Sequence, residues 1–369
     1  MVKQKRIIIV GAGPIGCYCA QLLRLKGYEP LVIEEHQVLG KPVHCAGLVG
    51  RKVIDEIKIP FPKNCLLNSI NSGRAHLRNE VATFKRNNVA FVIDREKFDK
   101  AMGQNLNIVF QTKCLGIEEN KTHYILETDK GDMEADIIIG ADGANSIVRS
   151  FVVGEKTTSF LKGVQFRMRC APAKSDMVEI FIEKPFFYWI IPEGPSIVRV
   201  GILSRNPYHD LMGFIHERGM KGEIIEKFAG LVPLMHFTSF SRGRVFLVGD
   251  SASQIKPLSY GGIYMGMRAA EILAECIGSK KYEQYAAIWD KRFGREVNIA
   301  LKAREIFHKL DNKELKKIFS FVRKKVALIE QKGDFENHSS IAWEFLKDPY
   351  ASKEIISILL KIIKASFKK

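Results

Sequence analysis

Ile7-Ile8-Ile9-Val10-Gly11-Ala12-Gly13-Pro14-Ile15-Gly16 is the stretch on which the fold turns. Four consecutive apolar, mostly β-branched residues read as a strand buried on both faces. The Gly-x-Gly-x-x-Gly spacing that follows, with Pro14 at the first turn of a helix, reads as the strand-to-helix turn of a dinucleotide-binding unit. Each glycine has its own reason. Gly11 permits the tight turn, Gly13 lets the backbone approach a pyrophosphate at the positive helix end, and Gly16 lets helix and strand pack closely. The spacing predicts a helix from Pro14 to Lys26 closed by Gly27, then a second strand at Leu31-Val32-Ile33. Glu34 ends that strand, eighteen residues after Gly16. A carboxylate there accepts from a ribose hydroxyl and disfavours a 2′-phosphate.

Two later blocks complete this beginning. Gly243-Arg244-Val245-Phe246-Leu247-Val248-Gly249-Asp250 is another buried strand ending in an acid, followed by Pro257 and Gly261-Gly262-Ile263. Asp250 is placed to accept from polyol hydroxyls, or simply to cap a helix. A helix opening at Gly262-Ile263 turns its amides toward a ring edge that becomes anionic on reduction. Between them, Ala141-Asp142-Gly143-Ala144-Asn145-Ser146-x-x-Arg149 follows a strand at 135–140, either as a second contact or as an ordinary turn with a capping serine. Half-sites more than two hundred residues apart, in this order, fit one long cofactor, and FAD is the best match.

The rest of the chain organises around these pieces. Residues 60–92 read as short alternating β segments, with a turn at Asn71-Ser72-Gly73. A helix is expected at Arg95–Gln104 and a buried strand at Asn107–Gln111. Residues 160–203 are again β-like, in segments Gly163–Arg169, Val178–Glu183, Phe187–Ile191 and Ser196–Leu203. Helices are expected near Leu211–Arg218 and Gly222–Leu231, and from Ile263 to the end the pattern is helical. The expected architecture is α/β. A Rossmann-type FAD-binding domain (1–60, 90–155 and 240–285) is interrupted by a β-rich substrate domain (61–89 and 156–239), and a helical C-terminal region (286–369) follows.

Composition narrows the class. The chain has 369 residues, 46% of them hydrophobic and 27% charged, which suits a globular protein. No signal peptide or run long enough to span a membrane is apparent. Seven scattered cysteines with no Cys-x-x-Cys pair favour a reducing cytosol and give no metal site. The net charge is +16, and residues 300–369, with 16 Lys/Arg and 9 Asp/Glu, carry +7 of it. That suits an anionic lipid surface, possessing as it does no interleaved basic and aromatic stripe for nucleic acid.

These residues carry a family resemblance. The Gly11 turn with Glu34, Gly40-x-Pro42-Val43-x-Cys45-Ala46-Gly47, Asp94-Arg95-x-x-Phe98-Asp99, the Asp250–Ile263 block, and Phe187-x-Trp189-x-Ile191-Pro192 with Gly201 resemble the geranylgeranyl reductase family of FAD-dependent oxidoreductases. The resemblance spans about residues 6–300 and implies a flavin hydroxylase-like (glutathione reductase 2 type) fold. It implies that Ile15, Glu34, Cys45, Ala46, Arg95, Cys114, Asp250, Gly262 and Ile263 touch FAD, and Asp142 and Gly261 belong to the same expected site. It implies that Phe187, Trp189, Pro192 and Gly201 line a lipid pocket. The chain departs from the family pattern at Ile191, Leu203, Ser253 and the Cys45-Ala46-Gly47 turn, so these positions bear on the substrate more than on the flavin.

The implied reaction is saturation of isoprenoid (geranylgeranyl) double bonds in membrane lipids or their precursors, with hydride from reduced flavin N5. An isolated alkene has no carbonyl to polarise, so positioning in an apolar site must supply much of the catalysis. Phe186, Phe187, Tyr188 and Trp189 either wall such a site or form an aromatic core strand. Cys45 is the candidate proton-handling thiol, or a small residue packed beside the ring. One full glycine fingerprint implies no separate NAD(P)H domain, so NAD(P)H or ferredoxin remains open as electron donor. Two alternatives share the fold: a flavin-dependent aromatic monooxygenase and a membrane-docked flavoprotein reducing quinone. Residues 352–369 place Ile355, Ile356, Ile358, Leu359, Ile362 and Ile363 on one helical face with lysines mostly opposite. Such a helix lies on a membrane or caps the protein's own core, and the expected location is cytoplasmic, at the inner membrane face.

Overall fold

A computed structural model describes residues 5–154, 160–235, 239–348 and 351–364. Ile7–Val10 pairs in parallel with Ile137–Gly140 on one side and Leu31–Ile33 on the other. Val245–Leu247 extends this sheet beyond Ile137–Gly140, with the short Ser241–Arg242 outside it, and Asn107–Val109 closes the opposite edge. The central strands are buried on both faces, as their unbroken apolar runs require. Asn107–Val109 is an edge strand with Asn107 and Val109 exposed, rather than the buried strand expected there. The strand expected at 135–140 is split: Ala135 ends the three-stranded meander Cys114–Glu119, Tyr124–Thr128, Met133–Ala135, and only Ile137–Gly140 enters the main sheet.

The first helix runs Pro14–Arg24 and buries Cys17, Cys19, Leu22 and Leu23. It stops two residues before Lys26, and Gly27 adopts the left-handed conformation that releases the chain into the next strand.

A second, eight-stranded sheet has the order Glu223–Pro233, Phe160–Arg169, Ile197–Ser204, Phe186–Pro192, Met177–Glu183, Leu66–Leu77, Glu80–Ile93, Leu48–Gly50. All its pairings are antiparallel except Met177–Glu183 with Leu66–Leu77. Residues 60–92 are therefore dominated by two long strands, not several short ones. Asn71-Ser72-Gly73 lies inside the first of them, where the register shifts between Ile70 and Ser72. The small polar residues mark a bulge, which the same composition signals as readily as a turn. Leu48–Gly50 and residues 90–93 also join this sheet, although both fall in stretches expected of the nucleotide domain.

The expected helix at Gly222–Leu231 is instead the edge strand Glu223–Pro233. Pairing with Phe160–Arg169 decides it, reinforced by the cross-strand ion pairs Arg167–Glu226 and Arg169–Glu223.

The C-terminal region is helical: Arg295–Lys309, Asn312–Lys324, Val326–Lys332, Ser339–Leu346 and Lys353–Lys364. Asp311 starts the second of these with a capping box: its carboxylate accepts from the amides of Lys313 and Glu314, and Glu314 accepts from the Asp311 amide. No helix among the described residues is long and apolar enough to cross a membrane.

Candidate functional site

The glycine turn is built as the spacing requires. Gly11 has φ +100°, donates its amide to Ile33 O at 2.9 Å, and leaves no room for a Cβ, which would lie 2.5 Å from Ala141 O. A Cβ on Gly16 would collide with Gly11 O. Gly13 differs: nothing lies within 4 Å of a Cβ there, so open space stands over the start of helix Pro14–Arg24. Two glycines are thus spent on packing and one on access. Glu34 accepts from the Ala12 amide at 2.7 Å and the His36 amide at 3.1 Å, which fixes its carboxylate beside the turn. Ile15 packs against Gly249 and Gly266, bridging this turn to the distant Asp250 block.

Asp142 is committed to structure. It accepts from Ser146 Oγ at 2.6 Å and from the amides of Ile147 and Val148 at 2.8 and 3.1 Å, fastening the start of helix Ile147–Val153. Burial nevertheless raises its carboxyl pKa. Cys114 lies close enough to feel Asp142; burial pushes its thiol up to about 12, so it packs as a small apolar residue. Gly143 beside them has φ +73° and open space around it.

The Asp250 turn is clamped from below. Gly249 donates its amide to Gln254 Oε1 at 2.8 Å, Gln254 Nε2 donates to Tyr285 Oη at 2.9 Å, and Tyr285 donates to Leu247 O at 2.8 Å. Arg149 donates to Ser251 O at 3.1 Å and Ala144 O at 2.6 Å. The Asp250 carboxylate itself has no hydrogen-bond or salt-bridge partner among the described residues, and burial raises its pKa while Arg95 and Arg149 oppose the rise. A Cβ on Gly262 would stand 2.7 Å from Asp250 Oδ1, so the glycine is what admits the carboxylate beside the start of helix Ile263–Gly278. Lys256 fills the space next to Gly261, where a Cβ would lie 2.9 Å from Lys256 Cε.

Cys45, Ala46 and Arg95 gather at this same end. Arg95 forms a two-bond pair with Asp99 at 3.1 and 3.0 Å and also meets the Cys45 side chain. Burial alone would lower its pKa, but Asp99 and Cys45 turn the net shift upward. Cys45 is half-buried, with its sulfur accepting from the Gly47 amide at 3.4 Å.

Two further residues hold this loop. Arg199 donates to Ala46 O at 2.6 Å and is itself bound by Glu193 at 2.6 Å, both side chains buried. Sequence reasoning missed both; the available signal was a charge interrupting the apolar run Val198-Arg199-Val200. It also missed Lys256, whose ammonium is paired with Glu336 at 2.8 Å, and both side chains are under 10% exposed.

The strand Phe186–Pro192 alternates. Phe187 stacks on Tyr260 with centroids 5.7 Å apart and planes 13° apart, and Trp189 meets Phe187 edge-on at 6.2 Å. Trp189 also donates to Gln165 Oε1 at 2.9 Å, and a Cβ on Gly201 would collide with its ring. Gly201 is therefore the space that lets Trp189 lie across the sheet. Tyr188 faces the other way, stacked on Phe214 at 4.2 Å, so the four-residue aromatic wall expected is two-sided. Pro192 shares the parity of Tyr188, not of Phe187 and Trp189, and its carbonyl accepts from Asn68 at 2.9 Å.

The open Gly13, the fixed Glu34 and the unpartnered Asp250 fit a long dinucleotide whose middle carries hydroxyls. Among the described residues no group of three or more His, Cys, Asp or Glu is placed to hold a metal. This arrangement is that of a Rossmann-type FAD-binding fold.

A family model described as an NAD(P)-binding Rossmann-like domain matches residues 9–51. An uncharacterized protein of Methanocaldococcus jannaschii is 32% identical over 92% of this chain and 94% of its own. A digeranylgeranylglycerophospholipid reductase of Methanocella arvoryzae is 27% identical over 85% of this chain and 89% of its own. A solved geranylgeranyl bacteriochlorophyll reductase-like protein from Thermoplasma acidophilum superposes with a TM-score of 0.82 at 21% identity, covering 98% of this chain and 99% of that one. The chain belongs to the same family as the Methanocaldococcus jannaschii protein, and it is similar over most of its length to digeranylgeranylglycerophospholipid reductases.

Proposed function

We propose that the protein saturates isoprenoid double bonds of membrane lipids or their precursors. The observation that carries this reading is the stacking of Phe187 on Tyr260, which joins the Phe187–Trp189 aromatic patch of the large sheet to the loop expected to carry the flavin ring. An alkene substrate needs that junction, because an apolar wall must hold it where the reducing equivalent arrives.

Gly13, Glu34 and Asp250 would hold the adenosine diphosphate and ribityl portions of FAD, and the backbone at Gly262-Ile263 would face its ring. Bound and reduced, FAD supplies a hydride equivalent to one alkene carbon. The chain supplies the rest. Phe187, Trp189 and Tyr260 exclude water from the double bond. Arg199 and Arg95 hold the 45–47 loop, and we assign delivery of the one proton, to the carbon that does not receive hydride, to Cys45 Sγ, with solvent returning it. The electron donor is left to NAD(P)H or ferredoxin.

The test is anaerobic. Photoreduced enzyme mixed with a geranylgeranyl glycerolipid should return to the oxidised flavin spectrum, with the lipid gaining one H2 per bond by mass spectrometry. Oxygenated product formed only in air would establish the monooxygenase instead, and quinone reduction without lipid saturation would establish the electron-transfer flavoprotein. Cys45→Ala should retain FAD and lose saturation.

A further inference from the structure

Helices Arg295–Lys309, Asn312–Lys324, Ser339–Leu346 and Lys353–Lys364 line a partly open cavity of about 340 Å³. Every lining side chain is apolar except His338 and Ser339. Small residues make the room: Ala300 and Ala303 on one helix face Ala342 on another. The last helix closes the space with Ile355, Ile358 and Ile362, while its Leu359 and Ile363 are buried. An apolar surface left uncovered in such a cleft forfeits both its burial and the contacts its lining would otherwise make.

The cavity also adjoins the cofactor loop. One of its lining residues is Leu258, two positions before Tyr260. Arg304, the residue after Ala303, reaches Tyr260 Oη at 3.4 Å. Leu258 thus ties the cavity lining to the loop whose Tyr260 stacks on Phe187 and whose Gly261-Gly262 is expected to open the ring end of the cofactor site.

We propose that this C-terminal cavity receives the distal isoprenoid units of the substrate chain and sets the longest chain accepted. The inference rests on the reading above for the substrate class, and adds a second binding region on elements other than the Phe187–Trp189 wall. An isoprenoid tail matches the lining because it brings no charge and no hydrogen-bonding group. His338 adds no charge against it, since burial, with Lys256 nearby, pushes its pKa down to about 4. The final helix then has an internal role for the apolar face expected to meet a membrane.

The test fills the cavity and reads chain length. Ala303→Phe should lower kcat/KM for a geranylgeranyl substrate about tenfold or more while leaving a geranyl substrate within about twofold, since a pocket that loses methylene-sized space discriminates on that scale. Ala342→Leu, a smaller filling from the opposite wall, serves should Ala303→Phe fail to fold. Independently of turnover, geranylgeraniol carrying a diazirine at its far end should label peptides of residues 295–309 and 339–364 in the wild type and not in the filled variant. Unchanged geranylgeranyl turnover in both folded variants, or labelling confined to 186–201, would overturn the proposal. Labelling in the cavity without any alkene reduction would uphold the binding region and reject the substrate chemistry instead.

Discussion

At the scale of residues, the two kinds of glycine in the first turn separate folding from binding. Gly16→Ala puts a methyl into Gly11 O and should destabilise the fold by about 2 kcal/mol, as overpacking a tight contact does. Gly13→Ala meets nothing in the free chain, so chemical denaturation should shift by no more than about 0.5 kcal/mol. FAD binding, read by quenching of flavin fluorescence, should nevertheless be lost. A Gly13→Ala protein that binds FAD normally would remove the pyrophosphate from this turn.

Asp250 makes a pH-dependent counterpart. Its folded pKa is raised by burial, so the native state holds the proton more tightly than the unfolded one. Its contribution to stability is complete below the ordinary aspartate range and is lost as pH rises through the raised value. In FAD-free protein, Asp250→Asn should therefore melt above the wild type at pH 7, with the gap closing toward pH 4. The same variant should bind FAD about tenfold or more weakly, because hydrogen bonds to a charged acceptor are worth ~1.5–3 kcal/mol. A gap that persists unchanged at acid pH would mean that the carboxylate is not the titrating cause. Cysteine accessibility gives a third check: a maleimide should modify half-buried Cys45 and Cys170 before the five buried thiols, and FAD should protect Cys45 alone of the two.

At the scale of elements, the cofactor turn is fastened to the C-terminal helices by one buried ion pair. Lys256 follows the Asp250 turn, Glu336 precedes helix Ser339–Leu346, and the Lys256 ammonium also donates to Phe335 O at 3.1 Å. Lys256→Met should cost about 3–5 kcal/mol by leaving Glu336 buried without its partner. Adding Glu336→Leu should restore much of that loss in the same denaturation assay; a double variant as unstable as the single one would show that packing, not charge, dominates. Element types were legible wherever periodicity was local, as in Ile7–Val10 and Pro14–Arg24. They were misread at Glu223–Pro233, whose partner strand begins sixty-three residues earlier at Phe160. A propensity pattern contains no record of a neighbour that far away.

At the scale of the whole molecule, the helix Lys353–Lys364 turns its apolar face inward onto helices Arg295–Lys309 and Ser339–Leu346. Residues 365–369 of the expected membrane segment lie outside the described residues. A membrane contact through this segment therefore has the exposed Lys353 and Lys361 to offer rather than that face, within a chain of net charge +16. Sedimentation with anionic vesicles should show binding that weakens steeply with added salt and falls on deletion of 352–369, while zwitterionic vesicles should bind little. Salt-insensitive binding to zwitterionic vesicles would instead mean that the apolar face leaves the core.

What the amino-acid order determined by itself was local and steric. Gly11, Gly13 and Gly16 have the spacing of a tight strand-to-helix turn, and the buried runs around them are strands because β-branched residues crowd a helix. From these, the nucleotide-binding sheet could be placed, and the two ends of a cofactor site expected along it. Only the tertiary structure decided how the ring end is furnished: Arg199 on the Ala46 carbonyl, Phe187 on Tyr260, Lys256 on Glu336, and the cavity beyond Leu258. Each joins residues separated by tens to more than a hundred positions. Sheet register and the packing of whole helices set those distances, and neither is written in the spacing of nearby residues.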